Sequence, residues 1–289
     1  MSMRKNECDE CIGRREVVLA GVTAPIWVPQ AARSLAAQIA PSEPTPTESK
    51  PTVITVVYEN NPGREDLMAQ WGFACVIQGP EKTILFDTGG AGWVLLANMR
   101  TLNLDPKQID AVVLSHIHSD HAGGLPSFST QRTDIPVYMP VGFPAEFKSH
   151  TRSLGFELVE AEESKTICPG VLTTGTLGRG AIEEHGLCVN TAEGWVLITG
   201  CAHPGVTNLA ARVKEITGGP IHLAMGGYHM PQEPKETIVA VMDRFEELGV
   251  IRSAPCHCSG EGARRRFKHR FKERCDLIGI GHVFTFGKA

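Results

Sequence analysis

From residue 52 onward, apolar residues recur in short blocks whose internal spacing separates strands from helices. Runs rich in Val, Ile, Leu and aromatics at 52–58, 73–78, 83–87, 111–114, 186–190, 195–199, 221–225 and 281–286 predict strands. Gly79-Pro80-Glu81-Lys82 predicts a hairpin turn between the second and third. Helical spacing links Val206, Leu209, Ala210, Val213 and Ile216, and again Ile238, Val241, Met242, Phe245 and Leu248, where Gly249 supplies a stop. Hairpins come first, and strands then alternate with helices. That order predicts an α/β (α+β) fold, with sheets covered by helices in layers around one core. The stretches 126–140 and 143–166 carry no readable period.

Before residue 52 the pattern changes. Arg14-Arg15 precedes an apolar stretch to Val28, and Ala36-Ala37-Gln38-Ile39-Ala40 ends it. A charged start, a short apolar middle and small residues at the end are the parts of an export signal. Paired arginines fit the twin-arginine kind, which carries folded proteins and implies a periplasmic location. With Pro25 and Pro29 inside the apolar stretch, a disordered tail and a cytoplasmic protein are the alternative. Residues 41–51 read as a Pro/Ser/Thr linker, and 52–289 as the catalytic domain.

Composition narrows the field. Of 289 residues 42% are hydrophobic and 21% charged, with no apolar run long enough to span a bilayer, so no stable membrane insertion is expected. The net charge of −4 gives no electrostatic case for nucleic acid. The nine cysteines form no evident disulfide framework, and free thiols argue mildly against an oxidising compartment. Cys8-Asp9-Glu10-Cys11 lacks the second pair that a zinc ribbon needs.

Candidate chemistry concentrates at His116-Ile117-His118-Ser119-Asp120-His121, directly after an apolar strand and before Gly123-Gly124. Alternation points His116 and His118 the same way, and the following turn carries Asp120 and His121 to a second point. Clustered imidazoles repel once protonated, so such a group makes sense around a cation, and imidazole with carboxylate suits zinc or iron. Three further histidines follow apolar strands beside glycines: His203, His229 and His257. Glycine permits the close backbone approach that a crowded site requires. His150, His185, His222, His269 and His282 lack this setting and read as surface or packing residues.

The His116–His121 run resembles the HxHxDH motif of the metallo-β-lactamase fold superfamily, and Phe86-Asp87-Thr88-Gly89 resembles the strand-turn before it. Glu59-Asn60-Asn61-Pro62, Gly200–Gly205, Gly226–His229, His257–Gly260 and Gly279-Ile280-Gly281 extend the likeness to the dihydropterin/ribofuranosylaminobenzene phosphate synthase subgroup. The resemblance implies a four-layer αβ/βα sandwich with two divalent metal ions, zinc in the first place and manganese or iron as alternatives. It implies His116, His118 and His203 at one metal, and Asp120, His121 and His257 at the other. Cys201 falls where relatives often place a bridging aspartate. The Gly-His-Thr-Pro segment of glyoxalase II relatives is absent, and His229 either fills part of that gap as a ligand or sits nearby as a proton donor or substrate contact. Asp87 is expected to steady a ligand histidine; Glu59 and Asn60 either line the pocket or cap a strand. The basic run from Arg264 to Arg274 reads as a solvated helix face anchored by Phe267 and Phe271, with a second use in holding an anionic or phosphorylated small molecule.

Two divalent ions sharing an oxygen lower the pKa of water from about 15.7 toward 7 and polarise carbonyl or phosphoryl groups. Hydrolysis of an ester, thioester or phosphoester follows, with Asp120 and His229 as catalytic residues. The alternatives are a synthase-like condensation, oxygen chemistry at one iron, and a non-catalytic metal-binding protein.

Overall fold

A computed structural model describes residues 50–79, 81–178 and 182–287. The expected export signal and most of the linker lie outside the described residues, as does Pro80 of the hairpin turn. That turn is nevertheless closed by a hydrogen bond from Gly79 N–H to Lys82 O, 3.0 Å.

Among the described residues, thirteen strands form two sheets. The first holds β1 (Thr52–Glu59), β2 (Phe73–Gln78), β3 (Thr83–Phe86), β4 (Ala111–Val113), β5 (Pro136–Met139), β6 (Glu157–Glu160) and β13 (Val283–Phe286), in the order β13-β1-β2-β3-β4-β5-β6. The second holds β7 (Thr166–Cys168), β8 (Val171–Thr173), β9 (Leu187–Thr191), β10 (Gly194–Thr199), β11 (Ile221–Gly227) and β12 (Arg252–Cys256), in the order β12-β11-β10-β9-β8-β7.

Alternation within each strand feeds two different cores. Ile54, Phe73, Cys75, Ile84, Phe86 and Val113 face Leu187, Val196, Ile198, Leu223 and Met225 across the space between the sheets. The interleaved residues Ala74, Val76, Leu85 and Val112 face outward, where α1 (Gly92–Thr101), α2 (Ser119–Ala122), α3 (Leu125–Phe128) and α4 (Ala145–Ser153) run. On the other sheet, Leu197 and Ala224 meet α5 (Val206–Thr217), α6 (Lys235–Leu248) and α7 (Glu261–Phe271). Both faces of each sheet are therefore apolar, and the result is the expected four-layer sandwich. Gly249 ends α6 in the left-handed conformation, φ 72°, as its position predicts.

The two unreadable stretches hold ordinary elements with weak patterns. In α4 only Thr151 is buried, and β6 carries glutamates at both ends on the sheet edge. Neither has enough buried apolar surface to mark a period. α1 buries Val94, Leu95 and Met99 but is apolar along most of its length, so no period stands out, and β7 and β8 are three residues each.

Phe86 is fully buried between the sheets, with its ring 6.4 Å from that of Phe73, and directly precedes Asp87. Phe86→Ala should cost about 3–5 kcal/mol by leaving a cavity; the urea midpoint measures it.

Candidate metal centre

β3, β4, β10, β11 and β12 each empty into a loop, and these loops carry the candidate ligands to one place. Three groups of donor atoms gather there, each within 4.8 Å: His116, His118 and His203; Asp120, His121 and His257; and Cys201 with His203 and His229. Cys201 also groups with His116 and His121, and again with His257 and Cys258, so its sulfur lies between the two triads. Every residue singled out as a ligand is thus brought to the cluster, together with Cys258, which sequence reasoning did not select.

Hydrogen bonds turn the rings. Ser115 Oγ donates to Asp87 Oδ2 (2.8 Å) and accepts from His116 Nδ1 (2.9 Å), leaving His116 Nε2 aimed inward. His121 Nδ1 donates to Asp87 Oδ2 at 2.7 Å, and His257 Nδ1 donates to Asn60 Oδ1 at 2.7 Å. The inward atoms then meet: His116 Nε2 and His118 Nδ1 are 3.1 Å apart, as are His121 Nε2 and His257 Nε2. Cys201 Sγ lies 3.2 Å from His121 Nε2. Such outer partners fix the tautomer and orientation of a metal-binding histidine.

The loops themselves are pinned by buried carboxylates. Glu59 accepts from His257 N–H at 2.5 Å and from the side chain and backbone N–H of Asn61, so it caps the strand end. Glu184 was not foreseen: it accepts from the backbone N–H groups of Cys201, Ala202 and His203 at 2.8–2.9 Å. Nothing near it in sequence marks that role, because its partners lie 17 to 19 residues further on. Asp87, Ala202, His229 and His257 all adopt positive φ, between 48° and 59°, a conformation that non-glycine residues rarely hold. Trp71, also unforeseen, stands 57% exposed with its ring 4.8 Å from that of His257.

Charge follows burial. Burial holds His121 at a pKa of about 4, further lowered by the neighbouring His257. Burial and the adjacent His229 and His118 hold His203 at about 4. His116 lies well below the ordinary range for the same reason. All three offer neutral lone pairs at pH 7. Burial opposes ionisation of Asp120, but its hydrogen bond from His257 and the charges of His121 and His257 prevail, so its pKa falls. Burial pushes Glu184 up to about 7 despite its three backbone donors. His229 is raised, first by its hydrogen bond to Cys258. Burial pushes the Cys258 thiol up, but hydrogen bonds with Cys201 and His229 outweigh it and hold the thiol low, whereas Cys201 is raised by the same pairing.

His203 Nε2 is buried without any hydrogen-bond partner. An orphaned ring nitrogen facing His116 and His118 is what a missing cation would leave, and nitrogen, oxygen and sulfur donors at this density fit zinc or a related divalent ion.

The basic run proves largely committed elsewhere. Arg264 is buried, donating to Pro255 O, Ile278 O and Asn61 Oδ1, while Arg270 pairs with Asp243 and Glu246. Phe267 and Phe271 are buried as expected. A groove of about 710 Å³ beside α6 and α7 is lined by Lys235, Arg265, Arg266 and His269 among others and includes no residue of the centre.

The chain belongs to the metallo-beta-lactamase superfamily, whose family model matches residues 72–233. Membership implies divalent metal binding. The chain is 28% identical over 266 residues to the 7,8-dihydropterin-6-methyl-4-(beta-D-ribofuranosyl)-aminobenzene-5'-phosphate synthase of Methanocaldococcus jannaschii, covering 75% of this chain and 90% of the relative. Among solved structures it resembles Tm1679, a metal-dependent hydrolase of the beta-lactamase superfamily, at 25% identity and TM-score 0.69, over 82% of this chain and 100% of that one. The metallo-beta-lactamase fold protein YhfI of Bacillus subtilis shares the fold at TM-score 0.61 and 15% identity, over 81% of this chain and 99% of that one.

Glu184→Ala would strand three buried N–H groups. At about 1–3 kcal/mol each, it should destabilise the metal-free protein by roughly 3 kcal/mol or more, read from the urea midpoint.

A second expectation concerns pH. His121 and His203 titrate lower in the folded chain than their ordinary 6.5, so they contribute stability present above 6.5 and lost as pH falls toward 4. Fully buried His185, at about 3, adds to the same side. Glu184, raised from 4.5 to about 7, works oppositely, and its contribution is lost as pH rises through 7. Asp87 and Glu59 are raised by burial and act with Glu184, but His116, His222 and His282 are lowered alongside the first three histidines. The lowered histidines outnumber the raised carboxyls, so the urea midpoint of metal-free protein should drop between pH 6.5 and 4. A midpoint that rises over that interval would contradict the assignment.

Proposed function

We propose that this protein is a metal-dependent hydrolase acting on an ester, thioester or phosphoester of a small, anionic molecule. The observation that carries this reading is the pair of adjoining donor triads, His116-His118-His203 and Asp120-His121-His257, with Cys201 between them. Divalent ions at those triads would supply Lewis acidity and activate water at neutral pH. The likeness to a metal-dependent hydrolase over nearly the whole described chain supports the reading.

The protein's own groups divide the remaining work. Asp120 Oδ2 stays ionised 3.4 Å from His257 Nε2, suited to orient the attacking water and accept its proton. His229 is exposed at the mouth, with its ring 4.3 Å from that of His203, placed to hand a proton to the leaving group; its hydrogen bond to Cys258 raises its pKa. Trp71, standing over His257, offers an apolar wall that excludes water from one side of the substrate. The substrate's anionic group is its own handle, and the phosphorylated product named for the methanogen relative favours a phosphate.

That relative also favours a second reading: a transferase joining two molecules at a ribose phosphate. The same Asp120 and His229 would serve an incoming nucleophile other than water. The twin-arginine-like start would export the folded chain, a location that suits hydrolysis better than biosynthesis.

Asp120→Ala and His118→Ala should each lower metal retention and turnover together, by a factor of about 100 or more. Elemental analysis beside a panel of carboxyl, thioester and phosphodiester substrates measures both. Full turnover in either variant would refute the hydrolase. A condensation product without hydrolysis would favour the transferase.

A further inference from the structure

Among the free, buried cysteines of the described residues, Cys201 and Cys258 are the two whose sulfurs share a donor cluster. Their sulfurs lie within 4.8 Å of each other and of the His257 donor. Cys258 Sγ is 3.7 Å from Cys201 O, so the two residues adjoin through backbone as well as side chain. Gly227 makes the approach possible. A Cβ there would stand 2.6 Å from Cys258 Sγ and 3.2 Å from the Cys201 Cα, and the bare glycine leaves that space free. The remaining described cysteines, Cys75, Cys168, Cys188, Cys256 and Cys275, join no such cluster.

One sulfur contact and two backbone links tie these cysteines to the ligand groups. Cys201 Sγ touches His121 Nε2, Cys258 follows His257 directly, and the backbone beyond His229 is tied to Cys258 by Met230 N–H donating to Cys258 O. Bringing the sulfurs to bonding distance, about 2.05 Å, therefore draws one donor out of the cluster and pulls on the segments that carry two others.

We propose that Cys201 and Cys258 form a modification site, a dithiol that hydrogen peroxide converts to a disulfide and that thereby weakens metal binding at the adjoining centre. The Cys258 thiol gives up its proton as its sulfur attacks one peroxide oxygen; the O–O bond breaks, the departing hydroxide takes that proton as water, and the sulfur, oxidised by two electrons, becomes a sulfenic acid. Cys201 sulfur then attacks that sulfur. The S–S bond forms, the S–O bond breaks, and the departing hydroxide takes the Cys201 proton as water. The balance is two thiols and one peroxide to one disulfide and two waters. A thiol reductant reverses it. The consequence for metal rests on the proposed metal centre; the disulfide itself does not.

The test uses the full chain, stripped of metal, exposed to hydrogen peroxide and then alkylated under denaturing conditions and digested. The expected result is one cross-linked species joining the peptides that contain Cys201 and Cys258, lighter by two hydrogens and resolved by dithiothreitol. Competition with a chelating dye should show zinc affinity reduced about tenfold or more in the oxidised protein, and restored on reduction. Recovery of both residues as separate alkylated or over-oxidised peptides, or a cross-link confined to Cys8 and Cys11, would overturn the proposal. So would a Cys201–Cys258 cross-link that leaves zinc affinity unchanged. The peptide map is made on the unaltered chain, so it depends on no variant's folding. A cross-link in a protein that binds no metal in either state would sink the metal centre while leaving the dithiol in place.

Discussion

The centre hangs on one buried carboxylate. Asp87 leaves β3 with φ 57° and there accepts three hydrogen bonds: from Ser115 N–H at 2.6 Å, from Ser115 Oγ and from His121 Nδ1. Its own N–H donates to Val113 O. A fully buried carboxylate is tolerated only when its acceptor capacity is filled, so each of these groups is held in place by the cost of leaving it. Through Ser115 the constraint reaches His116, and through His121 it reaches the second triad. Gly200, at the end of β10 in the other sheet, must lack a side chain because a Cβ would run into Ser115 Oγ. The two sheets are thus locked at the edge where the donors meet.

That lock is needed because the loops are not comfortable by themselves. Positive φ at Asp87, Ala202, His229 and His257 costs on the order of 1–3 kcal/mol each. The compensation comes from elsewhere: the continuous apolar layer between the sheets, and Glu184 and Glu59, whose carboxylates satisfy the exposed N–H groups of the bent backbone. Neutral, unpaired imidazoles complete the picture. Burial keeps His116, His121 and His203 from protonating, and one of them has a ring nitrogen with nothing to bond. Packing energy is spent to hold donors apart from protons and ready for a cation.

How much of this was readable in the chain follows from the range of the interactions. His116, His118, Asp120 and His121 lie within six residues after an apolar strand, so their convergence is a local matter of alternation and one turn. The strands whose two faces are both buried announced themselves as apolar runs. His203, His229 and His257 could be selected because each follows such a strand beside glycine. Glu184 and Cys258 could not, since they matter only through partners distant along the chain, 57 residues in the case of Cys258 and Cys201. Trp71 reads as a loop aromatic until the fold sets it over His257. The basic run reads as a charged helix face, and only the structure shows Arg264 turned inward to backbone carbonyls.

The same geometry narrows what separates the two enzymatic readings. Hydrolysis and group transfer would use the same ionised Asp120 and the same proton on His229; they differ in which nucleophile occupies the space between them. Water needs no recognition beyond Asp120, whereas a second substrate needs a surface to lie on. Trp71 is a large apolar group exposed beside the centre, its ring 4.8 Å from that of His257. A flat, exposed indole can bury a planar ring at little conformational cost. Specificity would then turn on whether that indole shelters the leaving part of a single ester or the incoming partner of a condensation, and the metal ligands would be indifferent to the choice.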